Sequence, residues 1–310
     1  MKWPGSANPG PMTHGRTMIS NDSFWLLAFG FLLLASTSVL LVSRTWWAVL
    51  PALAMQATLF VGLMEAFHQS VHNNLHSNRL VNDLIGRVLG AHLGFQFTCY
   101  KRFHGRHHAR LNKHDDPEKL LYVRQISRHE QLLAPGWQLL QSTRIVNTGQ
   151  FLLPSDESPT SYELWANYVF KIVIITLTVA YPVAFILAYW LPFILFSYVE
   201  SILAQSQHYF WTETCDGRKV DHKASLNIEL PAAIRFMMLN TNYHATHHIA
   251  PRTKWYKMHA ASRSLITNQS VPTLTFSAFF HSWRLEPRRW KTHPDHAPID
   301  RAIDAHVIAE

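Results

Sequence analysis

Cysteine is nearly absent from the sequence: the 310 residues include only Cys99 and Cys215. Far apart and without a CxxC pair, they exclude a disulfide scaffold and a thiolate zinc site, and they fit a reducing compartment. The same scarcity excludes a cysteine-held iron–sulfur cluster, and no CxxCH run offers a haem attachment. A glycine-rich dinucleotide fingerprint is missing too. No Gly/Ser-rich or Pro-rich linker divides the chain, and no internal repeat is visible. One domain over residues 21–285 is therefore expected, with loose tails at 1–20 and 286–310. Residues 1–20 lack the apolar core of a cleavable signal peptide.

Hydrophobic residues make up 48% of the chain, gathered into a few long runs. About 20 mostly apolar residues are needed to cross a bilayer as a helix. Phe24 to Val42 meets this without a charge, and Trp47 to about Phe67 follows, broken only by Gln56 and Glu65. The short turn between them predicts a hairpin. A second hairpin is predicted from Tyr168 to about Leu187, through a turn at Tyr189-Trp190-Leu191-Pro192, into Phe193 to Phe210. Leu80 to Phe97 and Leu226 to Leu239 carry too many polar residues to span and are read as interfacial or re-entrant helices. Lys and Arg crowd the segments between and after the hairpins, so the positive-inside rule puts both large segments and both termini in the cytoplasm. The formal charge of +8 fits an anionic membrane surface or an acidic protein partner. Nucleic acid is excluded as a partner, because the basic residues flank apolar spans and form no binding module.

Histidine is the excess: 20 residues, as many as Asp and Glu combined. Three clusters fall in the cytoplasmic segments, His68-Gln69-Ser70-Val71-His72, His104-Gly105-Arg106-His107-His108 and His244-Ala245-Thr246-His247-His248. Residues i and i+3 or i+4 share a helix face, so His68 and His72 can point at one metal. An HxxHH cluster can serve one ion or bridge two. Imidazole suits iron, copper, nickel and zinc. Eight imidazoles are too many for one tetrahedral zinc but suit two octahedral irons with open positions. His208, where a span meets the same face, is a ninth candidate ligand.

At these residues the chain resembles the membrane fatty-acid desaturase superfamily, which also holds acyl hydroxylases, carotenoid ketolases and alkane hydroxylases. The resemblance runs from about Phe67 to Tyr256. It is carried by His68-x-x-x-His72, by His104-x-x-His107-His108 followed by Asp115-Asp116-Pro117, and by Asn242-Tyr243-His244-x-x-His247-His248. It implies an all-α integral membrane fold: four transmembrane helices as two hairpins beneath a cytosolic helical cap. It also implies two non-haem irons, O2 as co-substrate, and desaturation of a fatty-acyl chain. Hydroxylation or ketolation of an acyl chain or carotenoid is the alternative, and a non-enzymatic membrane haem or metal-binding protein the more distant one. Gln69, Asp115, Asp116 and Asn242 are expected to orient the imidazoles from behind. The family usually has Asp or Glu directly after the first histidine. Gln69 in that place can hold a ring but supplies no charge. His76 extends the first stripe but is excluded as a ligand, and His92 matches no cluster. Electrons are expected from outside, from an acidic ferredoxin-like or cytochrome-like carrier docked on the basic face.

Overall fold

The computed structural model describes residues 20–111, 116–118, 139, 142–148, 158–208, 225–269 and 271–285. Both expected tails (save Ser20) and Asp115 lie outside these residues. Four helices are long and apolar enough to cross a membrane. The first two are α1 (Asn21–Val42) and α2 (Trp46–Val71), joined by three residues and packed on each other. Next come α3 (Arg79–Leu93) and α4 (Phe97–Arg110), then the third spanning helix, α5 (Ser161–Ala180). The fourth, α6, consists of Pro182–Phe185, a π-helical stretch Ile186–Trp190, and Leu191–Gln207.

The outward faces of these helices are apolar. Phe24, Phe31, Leu34 and Leu41 of α1, and Tyr162, Trp165, Ile172 and Val179 of α5, are all more than half exposed. In water such continuous surfaces would be aggregation sites; against lipid they cost nothing. The chain is an integral membrane protein by this measure. Polar groups of α1 and α2 pair with one another inside the bundle, as a medium without water favours. Gln56 of α2 takes the hydroxyl of Ser36 and donates to Thr37 Oγ1 at 2.9 Å.

The turn of the second helix pair is not where the sequence suggested. Residues 189–192 lie inside α6, and the chain breaks at Tyr181 (φ −135°, ψ 62°) before Pro182. A residue preceding proline is pushed out of the helical region, and proline itself fits a first helical turn. Pro192 is absorbed instead by the π stretch just before it, where the Leu191 N–H reaches back to the Ile186 carbonyl. That register change leaves room for a residue with no N–H to give.

Leu226 to Leu239 also differs from the expected helix. It contains a strand, β1 (Asn227–Glu229), and a short helix, α7 (Ala232–Met237). β1 pairs in parallel with β2 (Thr273–Thr275), Ile228 opposite Leu274. Alternation explains the strand: Ile228 is buried and Glu229 exposed, and Pro231 stops the ladder. Among the described residues the fold is thus mostly helical, with one short two-stranded parallel sheet. Further helices are α8 (His244–Ile249), α9 (Met258–Gln269) and α10 (Phe276–Leu285).

Helix α2 lies at the centre, packed against α1, α3 and α6. Gly62 permits the approach of α7, since a Cβ there would overlap the Met237 carbonyl oxygen and the Phe29 ring. Asp22, at the start of α1, ties distant segments together. It accepts from the Ser77 backbone N–H (2.9 Å), Lys254 Nζ (3.1 Å) and the Tyr256 hydroxyl (2.8 Å). Asn74 adds a bond from Nδ2 to the Thr253 carbonyl (2.7 Å). These links hold the chain just beyond the first and third histidine clusters in one place.

Candidate metal centre

The nine histidines singled out in the sequence meet in two groups. His68, His72, His104, His108 and His247 form one; His107, His208, His244 and His248 form the other. Within each group one ring nitrogen per residue lies within 4.8 Å of all the others. Helical phase makes the division. In α4, His104 and His108 are four apart and turn to the first group, while His107 faces the second. In α8, His244 and His248 turn to the second group and His247 to the first. Each HxxHH cluster thus bridges both positions, which its spacing had left open.

Short contacts between Nε2 atoms define the geometry. In the first group, His104 lies 2.8 Å from His68, 3.1 Å from His72 and 2.9 Å from His108. His247 lies 3.1 Å from His108. In the second, His248 lies 2.9 Å from His244 and 3.3 Å from His107.

Where a carboxylate fixes the tautomer, such a contact between neutral rings is not a hydrogen bond. His68 Nδ1 donates to Glu65 Oε2 and His104 Nδ1 to Glu118 Oε1, both at 2.8 Å. His107 Nδ1 donates to Asp116 at 2.9 Å. A neutral ring whose Nδ1 carries the proton has only a lone pair on Nε2. As neutral rings, His68 and His104 therefore aim two lone pairs at each other, an arrangement that a shared cation relieves. Metal–nitrogen bonds of about 2.1 Å at right angles would put neighbouring nitrogens about 3 Å apart, as here. The donor set fits two metal ions held through Nε2.

Burial also favours the ligand form. It holds His104, His244, His247 and His248 well below the usual imidazole range, and neighbouring imidazoles add to the effect. His107 goes the other way. Its burial is outweighed by the Glu118 and Asp116 carboxylates, and its pKa is raised.

The orienting residues differ in part from expectation. Asp116 lies against His107 Nδ1, its carboxylate accepting at 2.9 Å. Gln69 does not hold a ring: its Nε2 donates to Glu65 Oε1 at 2.6 Å, and Glu65 holds His68. The charge that Gln69 lacks thus comes from one helical turn earlier. Asn242 stands further out, its Nδ2 donating to the Ile228 carbonyl (2.7 Å) and its own carbonyl accepting from the Ile228 N–H (2.8 Å). It latches the third cluster to β1, and Asn227 strengthens that latch by accepting from the Thr246 N–H at 3.1 Å. His76 is used elsewhere, on the Ser23 hydroxyl (3.0 Å) and the Asn78 N–H (3.0 Å).

Sequence reasoning missed two carboxylates. Glu65 carried a signal, being an acid near the end of an apolar span, where a charge needs a reason. Glu118 follows Asp116-Pro117 directly, but nothing in its spacing announces that the turn folds it back onto His104.

A comparison with curated proteins finds no match. The fatty acid desaturase family model, however, matches residues 44–285, which contain all nine histidines and three of the four apolar helices in full. With that match over most of its length, the chain belongs to the fatty acid desaturase family.

Proposed function

We propose that this protein is a di-iron oxidase of the membrane, using O2 to introduce a double bond into the acyl chain of a lipid. The observation that carries this reading is the pair of adjacent imidazole groups at one end of the apolar helices. Irons bound there would supply activation of O2 and removal of hydrogen from an unactivated methylene. The chain's own residues do the rest. Five and four imidazoles respectively fix the two positions, while Glu65, Glu118 and Asp116 set ring tautomers from behind.

A place for an acyl chain lies beside them. A cleft of about 960 Å³ opens between α3, α5 and α6, lined by Phe170, Ile174, Tyr189, Trp190 and Phe193, with Lys171 and Arg144 also on its wall. Leu139 and Ser197 border both this cleft and a smaller cavity walled by Tyr100, Phe103 and Glu118. A chain laid in the cleft would thus run towards the smaller cavity, whose wall includes Glu118, the partner of His104. Apolar walls keep water from the reacting carbon and set which methylene is presented.

The basic segments that carry the histidines would face the cytoplasm, with the four helices as two hairpins beneath them. An acidic electron carrier, ferredoxin-like or cytochrome-like, would dock on that basic face. Lipid profiling of a host expressing the chain tests the reaction. New double bonds that vanish in a His107→Ala variant support it; new hydroxyl or keto lipids would replace desaturation by oxygenation at the same site.

A further inference from the structure

We propose that Glu118 is itself a metal ligand, placing one carboxylate oxygen on the second ion while its other oxygen steadies the first. The inference rests on the di-iron reading above and adds to it a residue outside the histidine clusters.

Glu118 is 4% exposed. Its backbone N–H donates to Asp116 Oδ1 at 3.0 Å, the oxygen that also accepts from His107 Nδ1. The side chain is thereby fixed at a turn between the two groups. Oε1 accepts from His104 Nδ1 at 2.8 Å, which commits the His104 lone pair to the first position. Oε2 lies 3.4 Å from His107 Nε2 and 3.7 Å from His208 Nε2, both nitrogens of the second group.

The geometry beside His107 carries the assignment. His107 hydrogen-bonds Asp116 through Nδ1, which leaves Nε2 as its ligand atom, and Glu118 Oε2 stands beside that nitrogen at 3.4 Å. A cation that displaces the proton between these two groups would meet both lone pairs on the same side. Four imidazoles leave an octahedral ion with two open positions. The oxygen stands on the His107–His208 edge and can fill one of them.

Glu65 makes the contrast clear. Its two oxygens are spent on His68 Nδ1 and Gln69 Nε2. It supports a ligand from behind and offers nothing to an ion. Glu118 has one oxygen facing each way. The two positions would then differ in kind: five neutral imidazoles around the first ion, and four with one anionic carboxylate around the second. An anionic ligand reduces the net charge at the second position and favours its oxidised state. Glu118 also borders the small cavity shared with Ser197, so this ligand would stand on the side from which the acyl chain approaches.

The test is Mössbauer spectroscopy, with iron analysis, of the full-length protein loaded with 57Fe in detergent and reduced. The wild type should hold about two irons per chain as two distinct ferrous doublets of equal area. In Glu118→Gln the doublet of the second ion should shift or vanish, with iron falling towards about one per chain in the latter case. In Glu65→Gln the second doublet should be unchanged. Two irons with a wild-type spectrum in Glu118→Gln would overturn the assignment, leaving Glu118 as a hydrogen-bond partner of His104 only. A wild type that binds no iron pair would instead overturn the di-iron reading itself. Should the Gln variant not fold, Glu118→Asp is read by the same criterion, because its shorter side chain cannot reach both His104 and the ion.

Discussion

Gln69 and Glu65, one helical turn apart in α2, act as a relay: the Gln69 amide donates to one Glu65 oxygen at 2.6 Å, and His68 donates to the other at 2.8 Å. Gln69 is held in turn by Asn74, whose Nδ2 donates to Gln69 Oε1 at 2.8 Å. The acid that the family usually carries beside the first histidine is displaced to position 65, and a neutral amide keeps it in place. Restoring the acid by Gln69→Glu should therefore harm the protein. It would set two buried carboxylates against each other and remove the donor that fixes Glu65. Iron affinity should fall by roughly 10–100-fold, the usual cost of losing an orienting partner. Iron retained per chain after dialysis against a weak chelator measures this, and a gain in retention would refute the relay.

Because each HxxHH cluster serves both positions, single substitutions should empty them separately. His247→Ala removes an imidazole from the first group and His244→Ala one from the second, although the two residues are three apart on one short helix. Each variant should keep about one iron per chain, in different spectroscopic environments. If both variants lose the same ion, the division into five and four is wrong.

Asp22 should matter for stability without touching the centre. Asp22→Ala removes the acceptor for the Ser77 N–H and the Tyr256 hydroxyl and leaves Lys254, which is mostly buried, without its carboxylate. Breaking such a pair by deleting one member costs about 3 kcal/mol. Thermal unfolding in detergent should shift down by several degrees, with iron content unchanged in the protein that remains folded. An unaltered midpoint would show that the segments after the first and third clusters need no such tie.

Helix phase separates what the sequence could reveal from what it could not. Eight of the histidines were legible because i, i+3 and i+4 spacings project onto one helix face whatever surrounds them, and His208 only because a span ends there. The spanning helices were legible because lipid demands apolar length. Glu118 was not, since its role depends on a turn after Pro117 that brings it back to α4. The break at Tyr181 was hidden by a choice between two prolines. Either Pro182 or Pro192 suits a helix start, and only the π stretch inside α6 shows that the second is accommodated within a helix. The strand at Asn227–Glu229 is three residues long and exists because Asn242 and β2 stand on either side of it.

Proton release should accompany metal binding. His107 is raised above the ordinary imidazole value by Glu118 and Asp116, and Glu118 is itself pushed up to about 7, first by burial. His107 and Glu118 are coupled and together retain a proton near neutral pH that a metal must displace. The imidazoles of His244, His247 and His248, held well below their usual range, are already neutral there and release none. Titrating the metal-free protein with Co2+ at pH 7 in weak buffer should therefore liberate about one proton per chain. The release should decline as the pH rises above 8, where the unit has already lost its proton. A release of several protons would mean that the clusters are charged before metal arrives. None at all would mean that the His107 unit is already ionised as a ligand set.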